Sequence, residues 1–182
     1  QTFKLSRTRL GKVKVAAITM TSRQNKSENI ATALQLVEEA AAAGARWVVL
    51  PEVFSFMGDR DATHANAELE NGPLATSLAT SAKKLGIYLF AGSFAERVTT
   101  PGTTDAVYNS LFVFSPSGDR IACYRKTHLF TFFDPSGKPT HSEADNFRAG
   151  HELVRLHIDG YEVALAICFD LRFSAMFQTL IG

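Results

Sequence analysis

The 182-residue sequence predicts a mixed α/β fold in which helices cover β-sheet. In the first half of the chain, short apolar runs rich in β-branched residues alternate with amphipathic segments. The second half is rich in predicted strands separated by turn residues. The composition, 46% hydrophobic and 20% charged, is that of a globular chain long enough to bury a sizeable core.

The first half of the chain predicts the order strand–helix–strand–helix–strand. The strands are expected at 13–20, 47–50 and 87–91. Asn25, with Glu28 three residues later, predicts a capped helix start, and Gly44 suits the end of that helix. Pro73 suits the first turn of the second helix, which Gly86 ends.

The second half of the chain predicts two hairpins separated by a long loop. Strands at 107–114 and 120–125 flank a Ser-Pro-Ser-Gly turn, and strands at 153–158 and 161–167 flank Asp159-Gly160. The loop is expected to span residues 127–150. A loop of this length in a compact fold is usually functional or disordered.

Composition and spacing exclude several kinds of partner. The formal net charge of +1 is too weak to indicate nucleic acid or an anionic membrane. The longest apolar runs are strand-sized, so no segment is expected to span a bilayer. The five histidines lack the spacings of metal sites, and no metal or other cofactor is expected.

The cysteines and the basic N-terminal residues give indications of the cellular compartment. Cys123 and Cys168 form no CxxC pair and follow no secretory segment, so a reducing compartment such as the cytoplasm is expected. The first 27 residues are basic and contain no acid. They are either a basic flank, with residues 1–12 as an extension of a single domain over 1–182, or the remnant of a mitochondrial transit peptide.

Three chemically capable side chains each follow a predicted strand. They are Glu52 after the strand at 47–50, Lys126 after the strand at 120–125, and Cys168 after the strand at 161–167. Ligands of open α/β sheets bind at the carboxyl ends of strands. We therefore expect these three side chains to meet at one site.

The three residue types suit attack on an amide carbonyl. A cysteine thiolate is a strong nucleophile, and a carboxylate can take the thiol proton and pass it to a leaving amine. An ammonium group lowers the thiol pKa and stabilises the oxyanion, a task that the Phe169 N–H can share. The predicted reaction is acyl transfer through a thioester that water hydrolyses. The structural alternatives are a core cysteine, a solvated lysine and a turn glutamate; for Cys123 we adopt the core interpretation.

Three segments around these residues resemble the motif regions of the nitrilase superfamily. They are Leu50-Pro51-Glu52, Tyr124 to Leu129 (YRKTHL) and Ile167 to Phe173 (ICFDLRF), in the family's order. The resemblance covers residues 13–173. It implies Glu52 as general base, Lys126 as oxyanion stabiliser and Cys168 as nucleophile. Glu143 matches the family's second active-site glutamate and would orient Lys126; the alternative is a solvated loop residue. Tyr108-Asn109-Ser110 is similar to a structural hydrogen-bonding segment of the family.

The resemblance also implies a fold, an oligomeric state and a class of substrate. The family fold is a four-layer αββα sandwich, and homo-oligomers are the rule. The segment after the cysteine is similar to Nit-type amidases rather than to true nitrilases. The chain resembles omega-amidases, which hydrolyse the terminal amide of 2-oxo dicarboxylic acid monoamides, and is nearly as similar to deaminated-glutathione amidases. Arg172 would either bind a substrate carboxylate or act as a partner of Asp170.

The sequence departs from the family pattern after Phe173. Family members continue with Pro-Glu, a further helix and several strands, whereas this chain has Ser174-Ala175-Met176-Phe177 and soon stops. We therefore expect a sandwich truncated at its C-terminus, with the remainder supplied by another chain, by a segment removed by proteolysis, or by a further segment of the same chain. Two other functions stay open: an inactive nitrilase-like module for oligomerisation or binding, and a Cys–His peptidase using His128.

Overall fold

The computed structural model describes residues 11–99 and 105–181. The prediction for the first ten residues of the basic extension lies outside these ranges. The main sheet consists of six strands: β1 (Val15–Ala17), β2 (Trp47–Val49), β3 (Glu68–Leu69), β4 (Tyr88–Val98), β5 (Ala106–Phe114) and β6 (Arg120–Arg125). Their order is β1-β2-β4-β5-β6, and the short β3 also pairs with β4.

The strand directions determine which strands have their carboxyl ends on the same side of the sheet. Strands β1, β2 and β4 are parallel, whereas β5 runs antiparallel to β4 and β6 runs antiparallel to β5. Two reversals restore the direction, so β6 runs the same way as β2. The carboxyl ends of β2 and β6 therefore lie at one edge of the sheet, and the residues that follow them can meet there.

Two helices cover one face of this sheet. They are α1 (Lys26–Ala42) and α3 (Pro73–Leu85), and a shorter helix α2 (Arg60–Ala65) lies between them in the chain. Buried side chains of α1 and α3, including Val37 and Leu78, pack with Val48 of β2, Leu89 of β4 and Phe112 of β5. Burial of this apolar area is the main stabilising contribution on this side.

A hairpin and a helix cover the opposite face. The hairpin joins β9 (Arg155–Ile158) to β10 (Tyr161–Ala164), and the last helix is α4 (Ser174–Ile181). Ile158 and Leu165 pack with Met176 and with Leu111 of β5 in a second buried cluster. The order in this part of the molecule is therefore helices, main sheet, and a layer that contains the hairpin and α4.

The predicted fold class is confirmed, and several predicted boundaries agree with the structure. The Asn25 side chain caps α1, Gly86 ends α3 in the left-handed region at φ 65°, and β6 spans the predicted residues. The strand predicted at 161–167 is wrong in its length, because β10 ends at Ala164. In the described ranges, no helix has the length and hydropathy needed to cross a membrane.

Strand β4 is much longer than the sequence indicated, since it continues through Gly92 and Ser93 to Val98. The register between β4 and β5 shifts between Ala91 and Phe94, so Gly92 lies at an irregularity of the ladder. Its φ is 29°, and a Cβ there would lie 2.0 Å from the carbonyl oxygen of Pro51. Only glycine lets β4 approach the segment that carries Glu52 this closely.

Candidate active site

A buried lysine lies between two carboxylates at the end of the sheet where the carboxyl ends of β2 and β6 lie. The Lys126 side chain is 1% exposed, and its Nζ lies 2.9 Å from Oε1 of Glu52 and 2.8 Å from Oε2 of Glu143. A buried ammonium needs such partners because loss of its hydration is costly. Burial lowers the pKa of Lys126, but the hydrogen bonds to Glu143 and Glu52 outweigh it, so the net pKa is raised and the group stays cationic.

Lys126 and Glu52 are held through their backbones as well. The N–H of Lys126 donates to the carbonyl of Asn109 over 2.9 Å, and its carbonyl accepts from Gly150 over 2.8 Å. Val53, directly after Glu52, has φ 52°, which is strained for a β-branched residue. The Ser93 hydroxyl accepts from the Val53 N–H over 3.0 Å. The turn that presents Glu52 is therefore fixed against β4.

Glu143 reaches Lys126 from the long segment predicted as a loop. That segment contains a small hairpin, β7 (Thr131–Phe133) and β8 (Pro139–Ser142), followed by a single 3₁₀ turn over Glu143–Asp145. The Glu143 carboxylate also accepts the N–H of Phe130 over 2.7 Å, and its own N–H donates to the Phe130 carbonyl over 2.8 Å. These bonds hold the carboxylate over Lys126, and the interpretation of Glu143 as a solvated loop residue is wrong.

Cys168 opens a 3₁₀ turn that follows the β9–β10 hairpin. Its φ of 47° lies in the left-handed region that L-residues rarely adopt, and its side chain is exposed. Strain of this kind costs about 1–3 kcal/mol and is concentrated at functional sites. The turn presents the thiol to solvent beside the Lys126 cluster rather than packing it into the core.

The electrostatics of Cys168 differ from the sequence-based expectation. Burial and the charge of Glu52 raise the pKa of the thiol, and its hydrogen bond to Glu52 and the charge of Glu143 add to them, whereas Lys126 lowers the pKa by less. The net pKa is raised, so the thiol is protonated at neutral pH. Attack on a carbonyl therefore needs a base that removes the proton during the reaction, and Glu52 is the adjacent carboxylate.

Asp170, two residues beyond Cys168, is fully buried and links the cysteine turn to the segment after Lys126. Its Oδ2 accepts from the Tyr124 hydroxyl (2.6 Å) and the Ile167 N–H (2.9 Å). Its Oδ1 contacts the Thr127 hydroxyl (3.1 Å) and both the N–H and Nδ1 of His128 (3.0 and 2.8 Å). Burial would raise the pKa of Asp170, but these bonds hold it below its ordinary value. The ring of His128 also stacks on Phe173 at 3.6 Å.

The structure brings four of the predicted residues together: Glu52, Lys126, Glu143 and Cys168. Phe169 follows the cysteine, and its ring packs edge-on against Phe130 at 5.2 Å. The interpretation of Arg172 as a partner of Asp170 is wrong, because Tyr124, Thr127, His128 and Ile167 occupy that carboxylate. Arg172 is exposed, and within 11–99 and 105–181 its side chain makes no hydrogen bond or ion pair.

Cys123, the second cysteine, is on β6 and is only partly exposed. Burial raises the pKa of its thiol to about 11. Cys123 therefore makes an internal control for experiments on Cys168. In the part of the chain that the structure describes, no three His, Cys, Asp or Glu side chains are grouped as metal ligands would be.

Sequence reasoning missed two residues of the site. It named Asp170 only as a partner of Arg172, although an acid two residues beyond the cysteine, directly after an apolar run, was a usable signal. It noted Asn109 as structural and did not link it to Glu52. The Asn109 Nδ2 donates to Oε1 of Glu52 over 2.9 Å, which places the amide in contact with the proposed base. No spacing rule predicts that contact, because it depends on the register of β5.

The fold and the cluster of Cys168, Glu52, Lys126 and Glu143 define the class of protein: an α/β fold carrying a cysteine–carboxylate–lysine site. The family model of the carbon–nitrogen hydrolases matches residues 14–177. The chain therefore belongs to the carbon–nitrogen hydrolase family, and the resemblance to the nitrilase superfamily is confirmed.

Two curated relatives and one solved structure illustrate the relationship. The chain is 33% identical over 169 residues to omega-amidase NIT2 of Danio rerio, covering 93% of this chain and 59% of the relative. It is 33% identical over 167 residues to a deaminated glutathione amidase of Synechocystis, covering 91% and 60%. Nit3 of Saccharomyces cerevisiae, of nitrilase superfamily branch 10, has a TM-score of 0.76 at 23% identity, covering 92% and 59%. The chain thus spans about three fifths of the length of these relatives.

Proposed function

We propose that the full-length protein is an amidohydrolase that cleaves the C–N bond of a small, carboxylate-bearing amide through a thioester on Cys168. One observation supports this proposal most directly. A buried ammonium, Lys126, is fixed between Glu52 and Glu143 next to an exposed cysteine in a strained turn. This arrangement supplies a nucleophile, a base and a cationic oxyanion partner within one site.

In the first half of the proposed reaction, Glu52 takes the thiol proton while Sγ of Cys168 attacks the amide carbon. Lys126 has three N–H donors, of which two are directed to Glu52 and Glu143, so one remains for the developing oxyanion. The backbone N–H of Phe169 provides a second donor. The intermediate then collapses: the C–N bond breaks, Glu52 returns its proton to nitrogen, and ammonia leaves with the thioester in place.

In the second half, water replaces ammonia. Glu52, again a carboxylate, takes a proton from the water molecule as its oxygen attacks the thioester carbon. The same donors stabilise the second oxyanion. The C–S bond then breaks, the thiolate recovers the proton from Glu52, and the free carboxylic acid leaves. Glu143 takes part in neither proton transfer; it holds Lys126 in position throughout.

The proposed substrate class is that of the omega-amidases. The family relatives named omega-amidase and deaminated glutathione amidase share the same identity of 33% with this chain, so identity does not separate them. Both substrate types carry a carboxylate beside a hydrolysable amide. Arg172, exposed four residues beyond the nucleophile, is the proposed partner of that carboxylate through a bidentate contact.

Amide hydrolysis by the full-length protein tests the proposal. Ammonia is measured from succinamate and its neutral analogue butyramide, and cysteinylglycine is measured from deaminated glutathione, each with wild type, Cys168→Ala and the control Cys123→Ala. We expect hydrolysis by wild type and Cys123→Ala, a preference for succinamate over butyramide, and none by Cys168→Ala. Equal ammonia release by wild type and Cys168→Ala would refute the assignment. Higher activity on deaminated glutathione would select the alternative amidase.

The competing functions make different predictions in the same assay. An inactive binding module would release no ammonia from any amide. A Cys–His peptidase would need His128 as base, but the side chains with the largest effects on the Cys168 thiol are Glu52, Lys126 and Glu143. His128→Gln is therefore expected to retain the thioester chemistry. The proposal also includes a homo-oligomer in the cytoplasm, checked by light scattering of the full-length protein and by cell fractionation.

A further inference from the structure

Asn109 contacts both halves of the Glu52–Lys126 pair from the middle of strand β5. Its Nδ2 donates to Oε1 of Glu52 over 2.9 Å, and its backbone carbonyl accepts the N–H of Lys126 over 2.9 Å. The side chain is fully buried. Its position follows from strand alternation, because Asn109 and Leu111 face the hairpin that carries Cys168, whereas Ser110 and Phe112 face the helices.

The two oxygens of Glu52 are in different environments. Oε1 accepts from two donors, Lys126 Nζ and Asn109 Nδ2, both at 2.9 Å. Neither Lys126 nor Asn109 donates to Oε2, and the Cys168 thiol is a further hydrogen-bond partner of the Glu52 carboxylate. The carboxylate is therefore anchored by one oxygen, and the other is free to accept a proton.

The contact with Glu52 alone determines which way the Asn109 amide is turned. Its Oδ1 is the one buried side-chain N or O atom in the described ranges that lacks a partner. Reversing the amide would place Oδ1 against the carboxylate, so Nδ2 must face Glu52 and Oδ1 must stay unpaired. A buried acceptor without a partner reduces stability, and such groups call for an explanation. The contact with Glu52 provides one.

A neutral donor suits this position for an electrostatic reason. Glu52, Glu143 and Lys126 already combine two negative charges with one positive charge. A second cation here would compete for the carboxylate and make it a weaker base, because opposite charges favour the ionised form. An amide N–H directs the carboxylate without adding a charge.

We propose that Asn109 is a positioning residue that anchors Oε1 of Glu52, so that Oε2 alone faces Cys168 and accepts its proton. The inference rests on the proposed function for its catalytic consequence, but the positioning itself can be measured without turnover. Without Asn109, both oxygens of Glu52 turn towards Lys126, and the carboxylate lies farther from the thiol.

The test compares Asn109→Leu with the neighbouring control Ser110→Ala, both in full-length protein carrying Cys123→Ala, and alkylation is measured on the peptide that contains Cys168. Leucine has a similar volume and removes the unpaired oxygen, so we expect its thermal stability to be retained. Ser110→Ala removes a 2.6 Å hydrogen bond to Glu96 on the opposite face of the sheet. Like Asn109→Leu, it therefore removes one buried side-chain hydrogen bond, but it leaves the contacts of Glu52 in place.

Two measurements are made on each variant. The first is the pH dependence of Cys168 alkylation by iodoacetamide, which for Asn109→Leu is expected to move towards that of Glu52→Gln, with about threefold faster labelling at neutral pH. The second is hydrolysis of succinamate, where kcat is expected to fall roughly 100-fold with KM little changed. Ser110→Ala is expected to match the Cys123→Ala parent in both measurements.

The outcomes separate this inference from the proposed function. An alkylation profile of Asn109→Leu that coincides with the parent, or an equal displacement in Ser110→Ala, would overturn the positioning role. If the parent protein releases no ammonia, the proposed function fails, and the alkylation profile alone still decides whether Asn109 holds Glu52.

Discussion

The hydroxyl of Tyr124 donates a 2.6 Å hydrogen bond to Oδ2 of Asp170, joining β6 to the turn that carries Cys168. Lys126 lies two residues after Tyr124, and Cys168 lies two residues before Asp170. The bond therefore fixes the distance between the proposed oxyanion partner and the proposed nucleophile through two short backbone segments. Loss of Asp170 should loosen both elements at once.

Asp170→Asn is expected to reduce the free energy of unfolding by about 3 kcal/mol, because each buried donor left unpaired costs about 1–3 kcal/mol. The pKa of Asp170 is lowered in the folded protein, so its stabilising effect is present above its ordinary pKa and is lost as the pH falls through the lowered folded value. The difference between wild type and variant should thus shrink below about pH 4. Urea unfolding from pH 3 to pH 7 measures it.

Tyr124→Phe is expected to reduce the free energy of unfolding less than Asp170→Asn does. It removes one donor and leaves the other partners of Asp170 in place, so a loss of about 1 kcal/mol is expected. If Asp170→Asn were no less stable than Tyr124→Phe at neutral pH, the account of Asp170 as the link between the two segments would be wrong.

Glu52→Gln should make Cys168 more reactive towards alkylation while abolishing amide hydrolysis. Burial and the charge of Glu52 are the two largest causes that raise the pKa of Cys168. Removing that charge lowers the pKa, and each unit of change raises the thiolate fraction about tenfold at neutral pH. The rate of iodoacetamide labelling, followed by mass spectrometry in a Cys123→Ala background, gives the result. Slower labelling of Glu52→Gln would contradict this electrostatic account.

Gly92→Ala is expected to destabilise the fold and displace Glu52, because the added Cβ would lie 2.0 Å from the Pro51 carbonyl oxygen. Overpacking of this kind costs about 1–3 kcal/mol or more. Gly86→Ala is the matched control, since Gly86 also has a positive φ (65°) but nothing lies within 4 Å of an added Cβ. Thermal unfolding of the two variants separates the clash from the backbone strain they share. Equal losses of stability would rule out the close approach of β4 to Pro51.

Sequence reasoning succeeded where local chemistry determines structure. The cap at Asn25 and the helix end at Gly86 follow from side-chain and backbone preferences that act within a few residues. The meeting of Glu52 with Lys126 was also predicted. It depends on β2 and β6 having the same direction, which the two reversals through β5 bring about.

Features that depend on contacts distant in sequence could not be predicted. The extension of β4 beyond the predicted end at residue 91 depends on pairing with β5. The hairpin β7–β8 lies in the segment 127–150, which was predicted as a loop. The raised pKa of Cys168 is the balance of burial and two carboxylates against one ammonium, and only the three-dimensional arrangement determines which prevails.

The most direct test of the central claim is the trapping of the acyl-enzyme. Full-length protein is mixed with succinamate, quenched in acid within the first turnovers, digested at low pH and analysed by mass spectrometry. We predict a succinyl group on the peptide containing Cys168, removed by hydroxylamine as a thioester should be, and none on the peptide containing Cys123. Ammonia release without any acyl group on Cys168, or equal labelling of both cysteines, would contradict the account.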